Sequence, residues 1–111
     1  MAERFAIIVV DIVKLRDYCL SDTHPRGRHK ARVFRSRLGL TSANSEMLRR
    51  ALLEAAQNRA DELQSGEADE HGQRYILDFP MTTSTGSATI RSAWIVLEGE
   101  DVLRLVTCYL L

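Results

Sequence analysis

The stretch Ser87–Leu111, SATIRSAWIVLEGEDVLRLVTCYLL, decides the fold. Two runs rich in β-branched and aliphatic residues flank Glu98–Asp101 (EGED), a polar tetrapeptide whose Gly99 suits a hairpin loop. Ser87–Leu97 is predicted as one long strand and Val102–Leu111 as the closing strand that folds back on it. Upstream, Tyr75, Leu77 and Phe79 alternate with Ile76 and Asp78. That is a strand period, which Pro80 is expected to end, and Met81–Gly86 (MTTSTG) reads as the following turn. Alternation sorts the side chains into faces. Thr89, Arg91, Ala93 and Ile95 share one face of the middle strand, and Ile90, Trp94 and Val96 the other; on the last strand Leu105, Thr107 and Tyr109 are expected on one side. The pairing register stays open, because a one-residue slip exchanges the faces. In one register Arg91 and Tyr109 lie opposite each other with Thr107 beside them. Arg91 and Asp78 also suit an ordinary cross-strand ion pair.

Before residue 64 the period becomes helical. Phe5–Val10 (FAIIVV) reads as a short strand. Asp11 then caps a short helix to about Leu20, with Ile12, Leu15 and Cys19 on its apolar face. Ser21–Gly27 is a polar loop. From Arg28, the residues Ala31, Phe34 and Leu38 recur on one helical face, and Gly39 ends the helix. Asn44 or Ser42 is expected to cap a long helix over Ser45–Leu63, striped by Leu48, Leu52, Ala55, Ala56, Ala60 and Leu63. Gln64–Gln73 (QSGEADEHGQ) reads as a flexible acidic loop. The order β-α-α-α-β-β-β predicts an α+β fold. A short N-terminal strand and three helices pack on one face of a C-terminal antiparallel sheet of three to four strands.

A chain of 111 residues that is 45% hydrophobic reads as a single domain, 1–111, with a small core of its own. Its 27% charged residues are those of a soluble globule. Phe5–Val10 is too short for a signal segment or a membrane span, so a cytoplasmic protein with no membrane partner is expected. Cys19 and Cys108, both in apolar surroundings, are expected as buried free thiols.

Charge is distributed unevenly. Fifteen basic and fifteen acidic residues balance, yet Arg26, Arg28, Lys30, Arg32, Arg35 and Arg37 lie within thirteen residues. No acid occurs between Asp22 and Glu46. The rest of the chain is correspondingly acidic, so Pro25–Arg37 (PRGRHKARVFRSR) points to an anionic partner such as RNA or another polyanion. On the helix, Arg28, Arg32 and Arg35 fall on the wet face. Lys30 and Arg37 fall at the rim of the apolar face, where a cation keeps its stem on the core and its head in water. A solvated basic face would look the same. His24 and His29 lack metal-ligand spacing and neighbouring ligands, so neither a metal nor another cofactor is expected. Two histidines in one cationic segment instead suit acid–base work.

An ordered series of motifs runs along nearly the whole chain. It comprises KLxxYxL (Lys14–Leu20), HPxGxxKAxxF (His24–Phe34), Leu38-Gly39, GxxY (Gly72–Tyr75), AWIV (Ala93–Val96) and RLVTxY (Arg104–Tyr109). The series resembles an uncharacterised bacterial domain family, found alone and at the C-termini of polymorphic-toxin proteins. Helices followed by a meander are also similar to the barnase/EndoU/colicin/RelE-like ribonuclease superfamily. That likeness implies metal-independent RNA cleavage, in which the ribose 2′-hydroxyl attacks the adjacent phosphate. It also implies His24 as acid or base with His29 as substitute, Lys30 and Arg91 as phosphate stabilisers, and Thr107 and Tyr109 as orienting hydroxyls. A toxin would carry a cognate inhibitor protein as a partner. Two other readings compete. One is a non-catalytic RNA or anion module using Arg26, Arg28, Arg32, Arg35 and Arg37. The other is a protein-binding element, such as a homodimer paired along the terminal strand.

Overall fold

A computed structural model of the chain describes residues 5–111. Its elements run β1 (Ile7–Val9), α1 (Ile12–Lys14), a π-helical turn (Leu15–Cys19), α2 (Arg28–Leu38), α3 (Ser45–Asn58), β2 (Gln64–Asp69), β3 (Gly72–Thr82), β4 (Ser87–Leu97) and β5 (Val102–Leu110). The fold is α+β, with the helices on one face of the sheet. The strand order is β1-β5-β4-β3-β2. The sheet therefore has five strands and is mixed, where three to four antiparallel strands were expected. β1 joins the outer edge of β5 in parallel, through Ile7–Val9 against Val102–Arg104. Residues 64–69 form a strand against β3 and not a free loop. Every residue of β2 is exposed, so no apolar alternation marks it in the sequence; pairing with β3 alone makes it a strand.

Local signals account for the helices. The Asp11 carboxylate accepts from the Val13 N–H at 2.9 Å and starts α1. α2 buries Ala31, Phe34 and Leu38, and ends at Gly39, whose φ of 68° is the left-handed conformation. Asn44 occupies the N-cap position of α3, as expected, but makes no side-chain cap bond there. Thr41 caps a 3₁₀ turn (Ser42–Asn44) just ahead of it, and Asn44 returns its Oδ1 to the Thr41 N–H at 2.6 Å. α3 stops at Asn58, and a second 3₁₀ turn, Ala60–Glu62, completes the expected helix.

Pro80 does not end β3, which continues to Thr82. β2 pairs only as far as Ile76, so at Pro80 the strand is an edge. Thr89, opposite Pro80, turns its carbonyl away to accept from Leu111, which leaves the proline nitrogen facing that free edge.

The core forms between the helices and one face of the sheet. Leu77, Phe79, Ile90, Trp94, Leu103, Leu105 and Cys108 meet Leu15, Phe34, Leu38, Leu48 and Leu52 there. A β-bulge fixes which residues of β5 take part. Ala93 pairs with Thr107 but Trp94 pairs with Leu105, so Val106 is an extra residue. Before the bulge Leu103 and Leu105 face the core, and after it Cys108 does. Leu105 therefore does not share a face with Thr107 and Tyr109, because the inserted residue shifts the alternation by one.

Candidate functional site

The bulge puts Thr107 and Tyr109 on the sheet face away from the helices. Tyr109 is in register with Arg91, and Arg91 with Asp78. Arg91 holds Asp78 in a two-pronged ion pair, Nε to Oδ1 at 2.9 Å and Nη2 to Oδ2 at 2.8 Å. The hydrogen bonds from Arg91 hold the Asp78 carboxyl below its usual range. Asp78 in turn raises Arg91, with a smaller contribution from the Tyr109 hydroxyl. These side chains are 39% and 34% exposed, so water screens the pair.

α2 supplies the fourth member. Lys30 is half-buried, and its Nζ stands 4.5 Å from the centre of the Tyr109 ring, within cation–π range. Beyond Arg104, β5 has no strand on its outer side, which leaves that edge open to the helical segments. Lys30, Tyr109, Arg91 and Asp78 thus form a continuous chain at one end of the open face. It places two cations against one phenol. Thr107 lies two residues from Tyr109, and its Oγ1 is 4.0 Å from the Cys19 Sγ.

The start of α2 is built by His24. Its Nδ1 accepts the N–H groups of Arg26 at 3.1 Å and Gly27 at 3.2 Å, and its ring meets Tyr18 edge-on at 4.5 Å. A Cβ at Gly27 would collide with the Tyr18 carbonyl, so the turn needs glycine there. His24 therefore folds the loop through Nδ1 and keeps Nε2 for other work. His29 is exposed. Among the described residues no contact joins either histidine to the Lys30–Tyr109–Arg91 group.

Arg26, Arg28, Arg32, Arg35 and Arg37 are all exposed. Arg35 approaches Asp22 at 3.8 Å, whereas the other four make no ion pair among the described residues. The remaining arginines of the open face already have partners: Arg74 binds Asp69 at 3.0 Å and Arg104 binds Glu100 at 3.2 Å. Unengaged positive charge is therefore concentrated along α2. Among the described residues no group of three or more His, Cys, Asp or Glu side chains could hold a metal ion.

The sequence reading singled out Lys30, Arg91, Thr107 and Tyr109, and the structure gathers them at one end of the sheet. It left out Asp78 as a site member. Asp78 is the one charge in the alternating Tyr75–Phe79 run, and its parity with Arg91 across the hairpin was the available signal. A concavity lies elsewhere. It is a groove of about 630 Å³ between α3 and the free edge of β3, lined by Met47, Arg50, Ala51, Glu54, Phe79 and Met81. It contains none of the expected site residues.

Fold and site define an α+β domain with a cationic helix beside the polar end of an open sheet face. The chain belongs to the family described as Domain of unknown function (DUF6883), whose model matches residues 2–111. No curated protein and no solved structure matches it. No helix among the described residues is long and apolar enough to cross a membrane.

Proposed function

We propose that this domain is a metal-independent endoribonuclease of toxin type, binding RNA along α2 and cleaving it at the Lys30–Tyr109–Arg91 end of the open sheet face. The observation that carries the reading is the Lys30 ammonium over the Tyr109 ring, with Arg91 in register on the next strand, beside a helix rich in unpaired arginines. Arg26, Arg28, Arg32 and Arg37 hold neighbouring phosphates. Lys30 and Arg91 take the charge that grows on the scissile phosphate as the 2′-hydroxyl attacks. Thr107 and Tyr109 orient it through their hydroxyls. Proton transfer falls to the Tyr109 hydroxyl and to His24 Nε2, the ring nitrogen not used by the turn. The resemblance to toxin-borne domains adds a cognate inhibitor protein as a partner.

A second reading is non-catalytic RNA binding. Asp78 already occupies one side of Arg91, and no histidine touches the group, which favours it.

The test is cleavage of mixed RNA in EDTA, alongside binding measured over a range of salt. Lys30→Ala is expected to slow cleavage by about 10²–10³ if Lys30 stabilises the transition state. His24→Ala is expected to lose most of the activity. Arg28→Gln with Arg32→Gln should flatten the salt dependence of binding by about 0.7 log unit per lost phosphate contact. Binding without cleavage would leave the second reading, and absence of both would refute the two together.

A further inference from the structure

A small cavity of about 130 Å³ opens on the flank of α2 away from Lys30, between residues 20–22 and residues 40–43. Ala31 and Arg35, which line it, stand about 100° and 140° round the helix from Lys30 at 3.6 residues per turn. Its floor is apolar and buried: Leu20, Ala31 and Leu40. Its rim is polar, made by Asp22, Arg35, Thr41 and Ser42. The walls are braced from behind. The Ser42 hydroxyl ties to the Leu20 carbonyl at 3.2 Å and the Arg16 carbonyl at 3.1 Å. Asn44 accepts from the Thr41 N–H and donates to the Gly39 carbonyl at 3.1 Å. The cavity is therefore formed before any ligand arrives.

The two charges on the rim are loosely matched. Arg35 Nη1 is 3.8 Å from Asp22 Oδ2, with side chains 57% and 63% exposed. That separation is too long for a hydrogen bond. Among the described residues no hydrogen bond reaches either side chain. Asp22 thus keeps both oxygens for incoming donors, and Arg35 keeps its N–H groups and its planar face. Asp22 is also the last acid before the cation-rich segment. A carboxylate beside phosphate-binding arginines weakens their hold on phosphate. Phosphate has no donor to give it, whereas a base does. Unstacked RNA bases are taken up on apolar surfaces and arginine planes, and are read along their edges.

We propose that this cavity seats one unpaired RNA base bearing an exocyclic amino group. Asp22 accepts from that amino group, and the Arg35 guanidinium covers the face of the base. Arg28 and Arg32, on the same wet face of α2 as Arg35, hold the adjoining phosphates. Adenine, cytosine and guanine carry such an amino group. Uracil carries none, and presents carbonyl oxygens to the carboxylate on both sides of its one ring N–H. The cavity therefore selects against uracil. The inference rests on the RNA-binding part of the reading above and not on cleavage; it adds where a base is read and which bases fit.

The experiment measures binding of the full chain to short 2′-O-methyl oligo(C) and oligo(U), which attack by a 2′-hydroxyl cannot cut. The two bases match in size and differ chiefly in the amino group. Oligo(C) is expected to bind about tenfold more tightly. Asp22→Asn removes a negative charge and should strengthen both complexes. Its amide can accept from an amino group or donate to a carbonyl, so the ratio should fall to about one. An Asp22 that acted through charge alone would leave the ratio as it was. Ala43→Leu, at the exposed mouth of the cavity, closes it without altering charge and should bring oligo(C) down to the level of oligo(U). Equal affinity of wild type for the two oligonucleotides would overturn the base site and leave RNA binding standing. So would a ratio that neither variant moves. No binding of either oligonucleotide at low salt would overturn the RNA reading, and this inference with it.

Discussion

The two faces of β4 use polar groups in opposite ways. On the core face, Ser92 donates to the Leu77 carbonyl at 2.7 Å and accepts the Trp94 indole N–H at 2.8 Å, with both residues fully buried. Every bond is internal, so the arrangement serves stability and register. On the open face, Arg91 sits half-exposed between an acid and a phenol, and the Lys30 ammonium reaches the Tyr109 ring from the sheet edge. That group retains donors that can reach a ligand. One strand thus alternates residue by residue between satisfied polarity and available polarity. The comparison teaches that the candidate site and the core can be changed independently, although adjacent residues supply them.

The largest effect should come from the core face. Trp94→Ala is expected to cost about 3–5 kcal/mol in denaturant unfolding, enough to endanger the fold of a small domain. A loss below 1 kcal/mol, roughly the cost of a surface change, would mean the indole is not packed as described. Ser92→Ala comes next. It leaves the Trp94 N–H buried without an acceptor and is expected to cost about 1–3 kcal/mol, with RNA binding unchanged. A change in binding at equal stability would show that the two faces are coupled.

Asp78→Asn gives the smallest stability effect and the clearest pH signature. Asp78 is depressed by Arg91, so it stabilises the fold above the unfolded carboxyl value of about 3.9. That contribution is lost as pH falls through the lower, folded value. The variant should be somewhat less stable at neutral pH and lose less stability on acidification below about pH 4. Removing the carboxylate also frees Arg91 for a phosphate, so RNA affinity at neutral pH should rise. Parallel acid limbs for variant and wild type would show that the pair contributes nothing.

Much of this was legible in the sequence. α2 appears from Arg28 to Gly39 because its buried positions, basic face and stop signal agree. The β4–β5 hairpin was marked by its two apolar runs and its loop. Two features were hidden, for physical reasons. β2 has no buried face, and only the neighbouring strand can reveal it. The bulge at Val106 is a property of the pairing: Leu105 and Thr107 look equivalent along the chain and become opposite only when matched to Trp94 and Ala93. For the same reason the meeting of Arg91 and Tyr109, with Thr107 beside them, could be read as a register option, while the role of His24 in shaping the loop could not. A histidine accepting two main-chain N–H bonds has the same sequence appearance as a free one.

Pro80 has a consequence for molecules in a crowd. Past Ile76, β3 offers carbonyls and N–H groups to any extended chain that drifts alongside, and the neighbouring groove has an apolar floor. A strand edge of that kind templates the growth of fibrils from copy to copy. At Pro80 the row of donors lacks one N–H, directed outward where an incoming strand would need it. One imino acid thus interrupts polymerisation along this stretch of the sheet edge without removing a bond the folded chain uses.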